Sequence, residues 1–251
     1  AELIKYASNA MLACRISFMN SLAGLCEQLG ADAGDLARGV GLDSRIGPGA
    51  LAVSPGYGGS CLPKDIRALI DTLKEHGLDA SLFEAIDSVN ESQKASHLER
   101  LRSFLGDLRD RRIAVLGLSF KAGSADTANS AAVKLIGQLL EEGAEVAAWD
   151  PAAMENMRRV FPGIEYSEDP YEASRGASAI VILTEWDSLR KLNFQILGGL
   201  VSNKLVLDGR GLFDPAVLLE LGFSYSAVGR PPVLLEPGCP EGAVDSLDSK
   251  R

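Results

Sequence analysis

Residues 112–118 read RIAVLGL, residues 130–143 read SAAVKLIGQLLEEG, and residues 145–150 read EVAAWD. The first and third are short apolar runs, and the second has apolar residues at helical spacing up to a stop at Gly143. Strands that are apolar on both faces belong in a sheet covered on both sides, and alternation with helices makes such a sheet parallel. The rhythm returns in SAIVIL (178–183), KLVLD (204–208) and YSAVG (225–229), with helical stretches between several of them. A doubly wound parallel sheet, an α/β fold, is expected over residues 109–235.

Upstream of that stretch the pattern is helical. Leu3, Ile4, Ala7, Met11, Cys14, Phe18, Leu22, Leu25 and Leu29 recur at helical spacing and end near Gly30. A short helix is expected over 33–39. Another begins around Pro63, since Pro is favoured in a first helical turn, and a long one runs from about Leu82 to Leu105. Long apolar helices bury poorly in so thin a layer, and surplus apolar surface marks an interface. Downstream, the Pro/Gly/Asp/Ser-rich tail 236–251 reads as disordered. The opening AELIKYASNA has no basic n-region and reads as a helix entered partway along a larger protein.

The 251 residues carry a formal net charge of −9, which argues against the basic stripe that a nucleic-acid partner needs. An anionic small molecule remains admissible if a few Arg and Lys side chains converge locally. The best apolar run, 177–183, is a strand's length, so no membrane partner is expected. Cys14, Cys26, Cys61 and Cys239 show neither CxxC spacing nor disulfide-scaffold density, which fits a reducing cytoplasm. His76 and His97 lie away from the cysteines, so no metal site is expected.

The sharpest local feature is GYGGSCLPKD, residues 56–65. Its glycines let the backbone turn tightly and approach a ligand. Pro63 places Cys61 at or beside a helix N-terminus, where unpaired N–H groups and the helix dipole favour a thiolate. Lys64 adds a positive charge. Asp65, four residues after the thiol, faces the same side of the first turn as a base or water-orienting group. Cys14 and Cys26, on the apolar side of the first helix, read as structural thiols, and Cys61 as a nucleophile.

GYGGSCLPKD strongly resembles the active-site loop of the UDP-glucose/GDP-mannose dehydrogenase family. The resemblance extends to AELIKYASNAMLACRISFMN at the start, and to VLGLSFKAG (115–123), VILTEWDSLRKL (181–192) and LDGRGLFDP (207–215). It implies a helical dimerisation and active-site domain over 1–108 and a Rossmann-like UDP-sugar-binding domain over 109–235. It also implies a cytoplasmic homodimer that oxidises a sugar C6 alcohol to a carboxylate, with two hydrides passing to NAD. RIGPGALAVSPGYGGSC, TEWDSLRKL and DGRGLFDP look more like UDP-glucose members, though LSFKAG and SCLPKD also occur in relatives acting on GDP-mannose.

The resemblance makes Cys61 the thiol that attacks the intermediate aldehyde, through a thiohemiacetal and a thioester. Lys5 and Asn9 match the family's KxxxN pair, with Lys5 stabilising the oxyanion and Asn9 orienting the same oxygen or the attacking water. Asp65 is similar to the family's water-activating carboxylate. Arg45 matches an Arg that reaches the neighbouring subunit's nucleotide sugar, and residues 50–53 resemble a strand that clamps the sugar, beside Tyr57 and Gly58. Phe120 and Lys121 match the FK pair that contacts the sugar nucleotide, with Arg210 as a further substrate contact and Lys64 on the cofactor side.

Two departures stand against full activity. The chain has no G-x-G-x-x-G fingerprint, and VLGLSFKAGSAD puts Leu118, Ser119 and Phe120 where a pyrophosphate needs close backbone approach. After the FK pair, Ala128 and Asn129 stand where the family has Arg and Glu. Asp150, closing EVAAWD, fits either a ribose contact or a capped strand end. The chain by itself is therefore expected to bind no NAD and to be inactive alone. Two readings stay open: part of a nucleotide-sugar 6-dehydrogenase, for UDP-glucose or alternatively GDP-mannose or a UDP-aminosugar, or a non-catalytic nucleotide-sugar-binding or dimerising homologue.

Overall fold

Helices of the first hundred residues end where glycine interrupts them. In the computed structural model, which describes residues 2–235, α1 (Glu2–Leu29) stops before Gly30, and α2 (Ala33–Gly41) starts from Asp32, whose carboxylate accepts from Gly34 N. Pro63 lies in the first turn of α3 (Leu62–Glu75), and α4 (Ser81–Leu105) ends at Gly106. Cys239 and the tail expected to be disordered lie outside the described residues. No helix among the described residues is long and apolar enough to cross a membrane.

The face that α1 buries is mostly small side chains, with the fully buried Met19 as a large exception. Ala10, Ala13, Ser17 and Ala23 pack inward, letting α3 and α4 approach closely. Four of its large apolar residues point the other way: Ile4, Met11, Phe18 and Leu25, seven residues apart, are exposed, Ile4 by 73% and Phe18 by 53%. Residues 50–53, likened above to a strand, form none. The segment is irregular, and Ala50 takes a left-handed φ of 56°.

The second region alternates as its apolar runs require. In chain order come β1 (Arg112–Leu116), α5 (Ala131–Glu141), β2 (Glu145–Trp149), α6 (Met154–Val160), β3 (Glu165–Tyr166), α7 (Pro170–Ser174) and β4 (Ala179–Ile182). There follow α8 (Asp187–Arg190), α9 (Phe194–Gly198), β5 (Leu205–Asp208), α10 (Pro215–Glu220) and β6 (Ser224–Ala227). The six strands are parallel, in the order β3-β2-β1-β4-β5-β6. The two-residue β3 is too short for any periodic signal and pairs only with β2. Strand order reverses between β1 and β4, so the crevice beyond their carboxyl ends is where this architecture binds ligands.

Both sheet faces are covered. Leu135, Ile136 and Leu139 of α5 pack with Leu98 and Leu101 of α4 on one face, and Leu197, Leu218 and Phe223 cover the other. Each such buried side chain stabilises the fold by about 1.5–3 kcal/mol relative to exposure. The α4 helix thus belongs to both regions. Its first half packs on α1 and α3, and its second half on the sheet domain.

Candidate active site

The chain from Ser54 to Gly59 is buried, and it emerges at Ser60 and Cys61. One face of α4 holds the buried part by its backbone. Asn90 accepts from Tyr57 N at 2.8 Å and donates to Tyr57 O at 3.1 Å. Gln93 donates to Ser54 O at 2.9 Å, and His97 Nε2 lies 3.3 Å from Pro55 O. From α1, Asn20 Oδ1 accepts from Ser54 N at 2.9 Å. Gly58 and Gly59 meet the sheet domain: a Cβ on Gly58 would stand 2.6 Å from Asn129 O, which is why only hydrogen fits there. Gly59 N donates to Ala128 O at 2.7 Å.

Cys61 is exposed at the N-cap of α3, and its Sγ lies 3.8 Å from Ser60 Oγ. The next amides are those of Leu62 and Lys64, because Pro63 has none. Cys26 is buried and Cys14 partly so. One turn into α3, the Asp65 side chain has no exposed surface. Asn9 Nδ2 donates to its Oδ2 at 2.7 Å, and Lys5 Nζ stands 3.4 Å from the same oxygen. Lys64 Nζ lies 2.9 Å from Oδ1, off the axis of a good hydrogen bond, so this contact is chiefly an ion pair.

The Lys64 ammonium, then Asn9 and Lys5, hold the Asp65 carboxyl below the usual carboxylate range, against the opposing effect of burial. The Asp65 contact likewise raises Lys64. Both lysines are more than half exposed, so Asp65 sits only one side chain below solvent and the pairs are screened. A buried carboxylate, held by two exposed ammonium groups and an amide, thus lies one helical turn from an exposed thiol. That set can capture an electrophilic carbon, neutralise an oxyanion and orient water.

At the carboxyl edge of the sheet, Asp150 is fully buried and settles as a cap. Its carboxylate accepts from Leu118 N at 2.7 Å, Ser119 N at 3.0 Å and Trp186 Nε1 at 3.0 Å, and from Ala152 N and Ala153 N. The Leu118 and Ser119 amides are the ones that a dinucleotide pyrophosphate would need, so the turn after β1 does not fit NAD. Phe120, Lys121 and Arg210 do come together. Arg210 Nη2 donates to Phe120 O at 3.0 Å, its Nε to Leu183 O at 3.0 Å, and Lys121 Nζ lies 5.5 Å from the Phe120 ring centroid. The Arg210 guanidinium is turned inward and also pairs with Glu185, so it braces the site more than it offers a free cation.

Arg45 stands apart on the 42–47 turn, 87% exposed, with its guanidinium on Asp43. Among the described residues it makes no contact with Phe120, Lys121 or Arg210. Tyr57, expected to face the sugar, has its ring buried in the helical core with Ile66 and Ile86. The sequence reading missed Asn90, Gln93 and His97. Their one available signal was polar residues at positions i, i+3 and i+7 on one face of α4. Among the described residues, no three His, Cys, Asp or Glu side chains are grouped to hold a metal ion.

The patterns of two family domains match the chain: the UDP-glucose/GDP-mannose dehydrogenase family's central domain over residues 1–92, and its UDP binding domain over residues 114–215. The chain belongs to this family. It is 43% identical over 232 residues to the UDP-glucose 6-dehydrogenase of Rhizobium meliloti, covering 92% of this chain and 53% of that protein. With the UDP-glucose 6-dehydrogenase of Pseudomonas aeruginosa it shares 41% identity, covering 92% and 52%. The solved UDP-glucose dehydrogenase of Pyrobaculum islandicum superposes with a TM-score of 0.78 at 38% identity, covering 83% of this chain and 47% of that one. An NDP-N-acetyl-D-galactosaminuronic acid dehydrogenase of Methanosarcina mazei gives 0.80 at 26% identity, covering 91% and 50%. The chain therefore spans about half the length of the curated relatives it matches.

Proposed function

We propose that this chain acts in the NAD-dependent oxidation of the UDP-glucose C6 alcohol to a carboxylate, with Cys61 capturing the intermediate aldehyde. The observation that carries this reading is the exposed Cys61 at the start of α3, one turn before the buried Asp65 that Asn9, Lys5 and Lys64 surround. Cys61 Sγ adds to the aldehyde carbon, a C–S bond forms, and the carbonyl electron pair moves to oxygen. Lys5 and Asn9 stabilise that oxyanion. At the later thioester, water adds to the acyl carbon, the C–S bond breaks, and the sulfur leaves with its electron pair. Asp65 orients that water, and its depressed pKa keeps it a carboxylate. NAD would take the two hydrides in this reading, but among the described residues the turn after β1, its amides held by Asp150, does not form its cradle, so the chain alone should not turn over.

In the same reading, residues 1–108 dimerise and carry the thiol, while 109–235 hold the UDP moiety through Phe120 and Lys121, with Arg210 bracing them and Lys64 facing the cofactor. The exposed stripe Ile4, Met11, Phe18 and Leu25 supports a homodimer, to which Arg45 would contribute across subunits. The 43% identity to a UDP-glucose 6-dehydrogenase favours UDP-glucose over other nucleotide sugars. A non-catalytic nucleotide-sugar-binding role is the second reading, favoured by the occupied amides of the turn after β1.

A UDP-sugar carrying an aldehyde at C6 tests the chemistry without any dinucleotide. It should protect Cys61 from iodoacetamide well beyond the protection given by UDP-glucose, through a reversible thiohemiacetal. Equal protection by both would remove Cys61 as the nucleophile and leave the binding role.

A further inference from the structure

Asn129 lies in the turn between β1 and α5 with φ 51°, a left-handed conformation that Asn tolerates better than most residues. Its side-chain amide donates to Gly59 O at 3.2 Å, and the neighbouring Ala128 O accepts from Gly59 N at 2.7 Å. Both backbone polar groups of Gly59 are thereby held by two adjacent residues of the other region. Gly59 is also the last buried residue before the exposed Ser60 and Cys61. The place of the thiol relative to the sheet domain is set at this anchor.

We propose that Asn129 is a positioning residue for Cys61, acting through Gly59 and touching no reacting atom. The role rests on the reading of Cys61 as the reactive thiol. Only a donor serves here: a carboxylate at position 129, as the resemblance would have it, would oppose the Gly59 carbonyl rather than bond to it. The contact is therefore a feature of this chain's own sequence. Loosening it lets Cys61 shift away from the sheet domain and from the Lys64 ammonium, whose charge acts on the thiol.

The test uses the full chain and three variants. Asn129→Asp keeps the left-handed preference and loses the donor. Asn129→Gly keeps the backbone freedom and removes the side chain. Asn156→Ala removes a different bond to the same turn, from Asn156 Nδ2 to Ala125 O at 2.8 Å, and serves as the control. Deuterium exchange reports the Gly59 amide, iodoacetamide alkylation followed across pH reports Cys61, and urea unfolding reports the fold. Both Asn129 variants should speed exchange at Gly59 and slow Cys61 alkylation by about threefold or more, leaving Cys14 unchanged. The control should move neither. Faster exchange with wild-type Cys61 kinetics would overturn the positioning role, as would unchanged exchange in both variants. If Cys61 is not the fastest thiol in the wild-type chain, the catalytic reading fails first, while the exchange measurement still decides whether Asn129 anchors Gly59.

Discussion

Asn90 satisfies both backbone polar atoms of Tyr57, accepting from its N–H at 2.8 Å and donating to its carbonyl at 3.1 Å, with no exposed surface of its own. A side-chain amide here does the work of a neighbouring strand, for a loop that has none. Asn90→Ala leaves a buried donor and a buried acceptor unpaired, so stability in urea should fall by about 2–4 kcal/mol with an unchanged denaturant slope. A loss under about 0.5 kcal/mol would mean that water or a shifted loop replaces the amide.

His97, under Pro55, gives the same loop a pH dependence. Burial pulls its pKa down to about 4, with Arg100 and Arg210 adding to the effect and the Pro55 carbonyl opposing it. The folded value lies below the unfolded value of 6.5, so the contribution of neutral His97 is complete above that pH. It is lost as pH falls from there through about 4, approaching about 3 kcal/mol at the acid end. His97→Gln keeps a donor for Pro55 O and cannot charge, so its urea stability should fall less steeply over that window. Parallel slopes for the two proteins would contradict the assignment.

The thiols should react in order of exposure. Iodoacetamide and peptide mapping should find Cys61 modified before Cys14, and Cys14 before the buried Cys26. Asp65, whose pKa is depressed in the folded state, stabilises the fold above the ordinary carboxylate range and loses that share as pH falls through its own lowered value. Asp65→Asn should therefore narrow the stability difference between neutral and acid pH.

Lys121 and Arg210 separate binding from bracing. Lys121→Ala should weaken UDP-glucose binding by about tenfold or more in calorimetry, about 1.4 kcal/mol, while Lys134→Ala should change little. Arg210→Ala removes bonds to Leu183 O and Phe120 O, so it should lower thermal stability as well as affinity. If GDP-mannose binds more tightly than UDP-glucose, the preference for UDP-glucose is wrong and the family reading stands.

Sedimentation at low micromolar concentration should show a dimer, and Phe18→Asp should shift it toward a 26.6 kDa monomer, because a carboxylate in a paired apolar stripe cannot be buried unpaired. A monomer in both cases would disprove the proposed dimer and the reach of Arg45 to a second subunit.

The order of the long helices and of the parallel strands other than β3 was legible in the sequence because each rests on local periodicity: a continuous apolar run such as residues 179–182, or helical spacing bounded by Gly30 and Gly106. The position of Cys61 at a helix start followed as directly from Pro63. Which face of α1 is buried did not follow. Its large apolar residues formed the stronger pattern, yet close packing with α3 and α4 selected mostly small ones, Ala10, Ala13 and Ala23, with the fully buried Met19 as an exception. The tertiary structure also decided that Asn90 and Asn129 grip the Cys61 loop and that Asp150 occupies the amides of the turn after β1. These contacts join side chains to backbone atoms more than thirty residues away. The backbone presents the same N–H and C=O at nearly every position, so no partner residue type marks such a bond in the sequence, and only the packed chain selects it.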